Sequence, residues 1–338
     1  MIIAPQRTDR PFDFVKYVDV PKEIVECPFC RGHESATPQH VASYSRIAGD
    51  DPRDWSVRVV PNKFPAVTDD LPPEATHSAS TPFPLQTPAN GESGEPIDLF
   101  RRRDLSGGHE VIVESPNHLH SISQLSPEDV RLVFRAYRDR LHYWLEERNV
   151  CYAVVFKNVG QDAGASLAHT HSQLISTNIL PPDVRRAASR MTQYLETEKC
   201  CLFCKVIADE MKQEVRIVDQ SPGFVALCPF ASRIPALVTI YPIEHQSQFE
   251  KLTLPELDQL AWLTHRTIRR IEKCYPHAAY NFVIHTAPGC ERNSESFHWR
   301  LELFPRLTKV AGFEWGSDCY INPLTPESAA RALRRAGV

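Results

Sequence analysis

The sequence has no apolar run approaching the ~20 residues that a membrane-crossing helix needs. Its first ten residues, Met1-Ile-Ile-Ala-Pro-Gln-Arg-Thr-Asp-Arg10, lack the basic, apolar and small-residue zones of a secretory signal. A cytoplasmic protein with no membrane partner is therefore expected. Positive charge is short as well, since 38 Lys and Arg against 42 Asp and Glu leave a formal net charge of -4. Covering phosphates over a broad surface takes an excess of cations, so no nucleic-acid partner is expected, although one basic pocket for a small anion is compatible with this balance. Ten cysteines in 338 residues are too dilute for a disulfide scaffold. In a reducing compartment, closely paired cysteines point instead to metal or redox chemistry.

What is present repeats itself. Two Cys-x-x-Cys units, Cys27-Pro-Phe-Cys30 and Cys201-Leu-Phe-Cys204, are followed by the same series of features. Each lies ahead of a β-like run ending in Pro and His, Glu110-Val-Ile-Val-Glu-Ser-Pro-Asn-His118 and Ala236-Leu-Val-Thr-Ile-Tyr-Pro-Ile-Glu-His245. A helix start comes next, Ser126-Pro-Glu-Asp or Thr253-Leu-Pro-Glu, with apolar residues at helical spacing behind it. Then come a strand, a Gly-containing turn and a His-bearing apolar strand, from His169 or from His298. The intervals agree, because 118 to 169 spans 51 residues and 245 to 298 spans 53. The expected fold is α+β and duplicated, two halves each with an antiparallel sheet and a long helix, divided as residues 1–180 and 181–338. Eight prolines between Pro61 and Pro96 mark a long loop inserted in the first half.

A closed four-ligand metal site commonly takes two thiolates from one Cys-x-x-Cys turn and two ligands from elsewhere in the fold. Each half can supply that set: Cys27, Cys30, His118 and His169, and Cys201, Cys204, His245 and His298. One such pair alone would fit a buried or redox-active dithiol equally well; two copies with matched histidines favour metal. Zinc is expected at both, with iron as an alternative at the second. His33 and His120 are competing ligands, ranked lower because the second half has no equivalent of either.

The halves differ at one place. Where the second reads His298-Trp-Arg300-Leu-Glu302, the first reads His169-Thr-His171-Ser-Gln173. Strand alternation puts residues 169, 171 and 173 on one side, so a metal ligand, a free imidazole and an amide line one edge. Upstream lies the loop Asn158-Val-Gly160-Gln-Asp-Ala-Gly164-Ala-Ser166, whose backbone N–H groups and Ser166 hydroxyl suit phosphate oxygens. Neutral imidazole attacks phosphorus near pH 7, and a phosphoramidate splits one displacement into two. Gln173 can stabilise a nonbridging oxygen but cannot move a proton, which favours transfer to a second acceptor over hydrolysis. The plainer reading, a satisfied core histidine, fits His171 less well given these neighbours.

With these motifs the chain resembles the galactose-1-phosphate uridylyltransferase family, a duplicated branch of the histidine-triad superfamily. The resemblance spans nearly the whole sequence, through Ile3-Ala-Pro-Gln-Arg7-Thr-Asp-Arg10-Pro, Cys27-Pro-Phe-Cys30, Val59-Val-Pro-Asn62-Lys-Phe64-Pro-Ala, His109-Glu-Val-Ile-Val, Gly164-Ala165-Ser166-Leu-Ala-His169-Thr-His171-Ser-Gln173, and Phe297-His298-Trp through Gly312-Phe313-Glu314. It implies ping-pong transfer of a nucleoside monophosphate through His171, between a nucleotide sugar and a sugar 1-phosphate or phosphate, in a homodimer. Gln173 and Ser166 would hold phosphate oxygens, with Asn158, Gly164 and Ala165 beside them. Arg7 and Arg10 would face the phosphates, Asn62 and Phe64 the nucleotide, and Phe313 and Glu314 the sugar. Two departures stand out: Thr170 separates the histidines where well-known uridylyltransferases have Pro, and Phe313 stands where they have Tyr. Together with Cys319-Tyr-Ile-Asn-Pro323, the second is similar to the ADP-glucose phosphorylase branch, which passes AMP to phosphate. Uridylyl transfer is the first reading and adenylyl transfer to phosphate the alternative. A non-catalytic, zinc-stabilised nucleotide-binding module is a third, disfavoured because such a module has no need of His171 and Gln173.

Overall fold

The computed structural model describes residues 2–3, 27–46, 54–69, 104–289 and 295–338. Strands β1 (Ile2–Ile3), β2 (Ala42–Tyr44), β3 (Val57–Pro61) and β4 (Gly107–Val113) precede helix α1 (Pro127–His142), and β5 (Tyr152–Val159) and β6 (His171–Thr177) follow it. Helices α2 (Pro182–Glu198) and α3 (Leu202–Gln213) lead to β7 (Ile217–Gln220), β8 (Phe224–Leu227), β9 (Val238–Pro242), helix α4 (Leu254–Cys274), β10 (Tyr280–His285) and β11 (Arg300–Pro305). Helix α5 (Gly312–Ser317), β12 (Ile321–Asn322) and α6 (Pro326–Ala336) come last.

Local chemistry starts the two long helices where the sequence signals them. The Ser126 side chain accepts the Asp129 N–H ahead of Pro127, and Thr253 forms a capping box with Glu256. Val133, Phe134, Tyr137 and Leu141 of α1 and Leu257, Leu260, Leu263 and Ile268 of α4 are buried in one core with Ile112, Val155, Leu174, Phe282, Ile284 and Leu301 of the strands. Each such side chain contributes roughly 1.5–3 kcal/mol of burial free energy, so the shared core binds both halves together.

The ten-stranded sheet runs β2-β3-β4-β6-β5-β10-β11-β9-β8-β7. Taken from each outer edge inward, the order is 2-3-4-6-5 in one half and 7-8-9-11-10 in the other, so the repeated Cys and His spacings reflect a repeated fold. The duplicated α+β architecture expected from the sequence is present. The two antiparallel sets are not separate sheets, however: β5 and β10 pair directly, with Phe156 opposite Val283 and Asn158 opposite Asn281. Two exposed central edges would each leave a row of unpaired N–H and C=O groups, and their pairing removes both.

Register decides what faces where. His171 lies opposite Val113, Gln173 opposite Val111 and Phe156, and Glu302 opposite Val283. Alternation therefore gives His109, His171, Gln173, Asn158, Asn281, Arg300 and Glu302 one face of the sheet, while α1 and α4 cover the other. The half-buried state of Phe156, Asn158, Val283 and Gln173 shows that the middle of this face is open.

Candidate active site and metal centres

Both Cys and His quartets assemble. In each, the ligand atoms lie within 4.8 Å of one another. Cys27 Sγ and Cys30 Sγ lie 3.5 and 3.6 Å from His169 Nδ1, and Cys30 Sγ lies 3.5 Å from His118 Nδ1. In the second quartet Cys204 Sγ is 3.3 Å from His245 Nδ1 and 3.5 Å from His298 Nδ1, which is 3.9 Å from Cys201 Sγ. Tetrahedral coordination with thiolates at about 2.3 Å and imidazoles at about 2.0 Å sets S and N roughly 3.5 Å apart, so the spacing is that of a metal site. The outer nitrogens support it: His169 Nε2 donates to Ser115 O at 2.9 Å and His298 Nε2 to Pro242 O at 3.0 Å, which turns both Nδ1 lone pairs to the thiolates. Burial lowers both histidines to about 4, and burial followed by the neighbouring thiol raises Cys30 to about 11 and Cys204 to about 12. Neutral imidazoles are the form in which histidine binds a metal, whereas the thiols must lose their protons to do so. His33 is turned away, its Nδ1 2.8 Å from Cys27 O, and His120 packs edge-on against His118.

The sequence reading begins the histidine strand at His169; the regular strand begins at His171. His169 lies in the lead-in segment, drawn toward the thiols. Its carbonyl oxygen is 2.7 Å from His171 Nδ1, which donates to it and so leaves the lone pair of His171 on Nε2. Burial lowers the His171 pKa, so the imidazole is neutral near pH 7. Phe29, from the first Cys-x-x-Cys turn, packs against both rings, 5.9 Å from His169 and 5.3 Å from His171 between centroids. The second half reproduces this contact with Phe203 between His298 and Arg300, so an arginine stands in the place of His171.

Gln173 is held by His109, which the sequence reading named in a motif but gave no role. His109 Nδ1 accepts the Ala66 N–H at 3.1 Å, and His109 Nε2 donates to Gln173 Oε1 at 2.8 Å. The amide NH₂ of Gln173 is then the end left to face a ligand. Asn62 lies beside this pair, with its Oδ1 receiving the Phe64 N–H at 2.9 Å. The Phe64 ring is 82% exposed beside it. His109 carries the alternation of an apolar strand, and only the pairing of β4 with β6 brings it near Gln173.

The loop from Gly160 to Ser166 differs from a plain phosphate cradle. Gly160 and Gly164 adopt φ of 83° and 86°, values that side-chain-bearing residues rarely take. The N–H groups of Ala163, Gly164 and Ala165 close the loop's own turns on Gly160 O and Gln161 O. Asn158 accepts Asn281 Nδ2 at 2.8 Å, and the same amide reaches Ala163 O at 2.9 Å, so a residue of the second half braces this loop. Ser166 is exposed. Phe313 and Glu314 line a cavity of about 210 Å³ with Arg233, Arg306, Lys309 and Tyr320; neither His171 nor Gln173 lines it. Arg7 and Arg10 lie outside the described residues.

The family model described as galactose-1-phosphate uridyl transferase, N-terminal domain, matches residues 4–181, and one described as a domain of unknown function matches residues 100–335. The chain is 33% identical to the ADP-glucose phosphorylase of Arabidopsis thaliana, over 100% of this chain and 90% of that protein. It is 26% identical to the galactose-1-phosphate uridylyltransferase of Thermotoga maritima, over 93% of this chain and 90% of the other. The structure of the Arabidopsis thaliana ADP-glucose phosphorylase with bound ADP-glucose superposes with a TM-score of 0.79 at 30% identity, covering 98% of this chain and 93% of that one. A uridylyltransferase structure superposes with a TM-score of 0.74 at 26% identity, covering 97% and 96%.

Proposed function

The chain belongs to the galactose-1-phosphate uridyl transferase family, and on that premise we propose that it is a nucleotidyltransferase in which His171 carries a nucleoside monophosphate between two substrates. His171 Nε2 attacks the α-phosphorus of a nucleotide sugar; an N–P bond forms, the P–O bond to the sugar phosphate breaks, and sugar 1-phosphate leaves. A phosphate oxygen of the acceptor then attacks the same phosphorus and the N–P bond breaks. The observation that carries this reading is the hydrogen bond from His171 Nδ1 to His169 O, which leaves Nε2 unprotonated on a side chain that shares the open sheet face with Gln173. Gln173, turned by His109, would donate to a nonbridging oxygen, and Ser166 would add a hydroxyl. By the family resemblance Asn158, Gly164 and Ala165 would lie at the phosphate end of this proposed site, Asn62 and Phe64 would lie beside the nucleotide, and Phe313 and Glu314 would face the sugar; Arg7 and Arg10, which would face the phosphates, lie outside the described residues.

The first candidate reaction is uridylyl transfer from UDP-glucose to a hexose 1-phosphate such as galactose 1-phosphate. A second is favoured by the full-length similarity to an ADP-glucose phosphorylase and by Phe313: transfer of AMP from ADP-glucose to phosphate. Incubation with UDP-glucose and with ADP-glucose, each labelled in the nucleotide, decides between them by which label stays on the protein. Retention of neither label on His171 removes the covalent mechanism.

The quartets fit zinc in donor type and spacing, with iron an alternative at the second. Four protein ligands in each leave no open position, so bound metal would serve as a structural clasp, and no chemical step is assigned to it. We place the enzyme in the cytoplasm as a homodimer. The half-exposed Phe156 and Val283 on the open sheet face, and Trp315 of α5 at 78% exposure, support a second copy as the cover. Among the described residues no helix is long and apolar enough to cross a membrane.

A further inference from the structure

Directly beneath His171, on the helix side of the sheet, four side chains converge on one buried carboxylate. Glu114 Oε2 accepts Lys157 Nζ and Thr170 Oγ1, both at 2.5 Å, and Glu114 Oε1 accepts Ser172 Oγ at 2.5 Å and the Tyr137 hydroxyl at 2.6 Å. Lys157 Nζ also donates to Thr170 Oγ1 at 3.0 Å and to the backbone carbonyl of His171 itself at 2.9 Å. Both charged side chains are 0% exposed. Thr170 and Ser172 are the two chain neighbours of His171, so this one network holds the residue before it, the residue after it and its own carbonyl oxygen.

Burying an ion pair is costly, and the same space filled with apolar side chains is often as stable or more so. The molecule contains that alternative within itself. In the second half, His298 takes the place of His169, so Trp299 and Leu301 stand where the first half has Thr170 and Ser172. Ile284, paired with Leu301, stands where Lys157 lies beside Ser172. All three are fully buried and apolar. The fold thus closes at these three places without a charge, and the half with a buried ion pair here is the half with the histidine read as reactive. An imidazole displaced by about 1 Å can lose on the order of 10²-fold in rate, so a rigid support at this point has a direct catalytic consequence.

We propose that Glu114 and Lys157, through Thr170 and Ser172, are positioning residues that fix the backbone of His171 in the geometry needed for attack on phosphorus. This rests on the reading of His171 as the nucleophile. The pair touches no substrate; it acts only by holding the strand from the side opposite the imidazole.

The test uses the full-length, metal-loaded protein and follows single-turnover formation of the nucleotidyl adduct by mass spectrometry, with UDP-glucose and ADP-glucose as probes. Thr170→Val removes one hydroxyl without changing shape, and Thr170→Ser restores it. The double variant Glu114→Leu/Lys157→Met replaces the pair by apolar side chains, as Ile284 does in the second half at the place of Lys157. The expected result is unchanged metal content, a KM within about twofold of native, and adduct formation slowed 10- to 100-fold in the double variant. Thr170→Val should be slowed several-fold, with Thr170→Ser close to native. Lowered thermal stability with adduct formation as fast as native in both the double variant and Thr170→Val overturns the proposal, because that is what a purely structural pair would give. Should the double variant fail to fold, Thr170→Val against Thr170→Ser decides. Absence of an adduct on His171 in the native protein overturns the functional reading itself, and the positioning role with it, which is a different outcome from a native adduct that the variants form equally fast.

Discussion

The carbonyl oxygen of His169 accepts His171 Nδ1 at 2.7 Å, while the ring of His169 turns its own Nδ1 to the thiols of Cys27 and Cys30. One residue thus belongs to the metal quartet by its side chain and sets the tautomer of the proposed nucleophile by its backbone. The two functions separate on mutation because they use different atoms.

His171→Gly should keep the metal content and thermal stability of the native protein and form no nucleotidyl adduct. An imidazole phosphoramidate of the nucleotide, supplied as the preformed intermediate, should restore the second half-reaction. His169→Gly should instead lose metal and stability together. Elemental analysis and mass spectrometry on the two variants check this, and an adduct mapped to any residue other than His171 defeats the mechanism.

Gln173→Ala should retain adduct formation but slow both half-reactions by about 10²-fold, corresponding to the ~3 kcal/mol typical of one lost oxyanion donor. His109→Ala should do the same to a smaller degree, because Gln173 then loses the partner that orients its amide. Single-turnover rates for each half-reaction measure the ordering; a His109 variant slower than the Gln173 variant would mean that His109 contacts substrate directly.

The sequence disclosed whatever depends on spacing along the chain. Cys27, Cys30, His118 and His169 were legible because the same intervals recur in the second half, and Ser126 and Thr253 because helix capping is local chemistry. What depends on register was not legible. His109 meets Gln173 only through the pairing of β4 with β6, and the two halves share one sheet only because β5 meets β10. Glu114 and Lys157 look like polar strand ends in Val113-Glu-Ser and Phe156-Lys-Asn, since nothing local reveals that each is the other's partner in the core. Phe313 and Glu314 carry no local signal of a role and were assigned by resemblance alone.

Metal removal should lower stability in both halves with different consequences for activity. Native protein should contain two tightly held metal ions per chain, one for each quartet. Cys201→Ser should release one, lower the thermal midpoint, and leave the adduct able to form on His171. Cys30→Ser should release the other and also impair adduct formation, since Phe29 of the same turn packs on the His171 ring. Metal analysis alongside adduct yield tests the asymmetry. Equal loss of adduct in both variants would show that the second quartet also supports the reactive half.

Glu302 occupies in the second half the place of Gln173 in the first, and it anchors a charged group on the open face. Arg300 Nε lies 3.0 Å, His285 Nε2 3.5 Å and Arg233 Nη2 3.8 Å from its carboxylate. Burial alone would raise its pKa, but Arg300, followed by His285 and Arg233, holds it well below the ordinary carboxylate value. A carboxylate whose folded pKa is depressed contributes stability that is complete above its unfolded pKa of about 4.3 and is lost as pH falls through the folded value. Glu302→Gln should therefore destabilise the protein at pH 7 by about 3 kcal/mol, because it leaves the Arg300 charge without its counter-ion. The gap between native and variant should narrow as the medium is acidified below about pH 4. Urea unfolding at pH 7 and at successively lower pH measures that gap. A difference that stays constant down to the acid limit would mean that ionised Glu302 does not stabilise the folded state, and that Arg300 is balanced by another group.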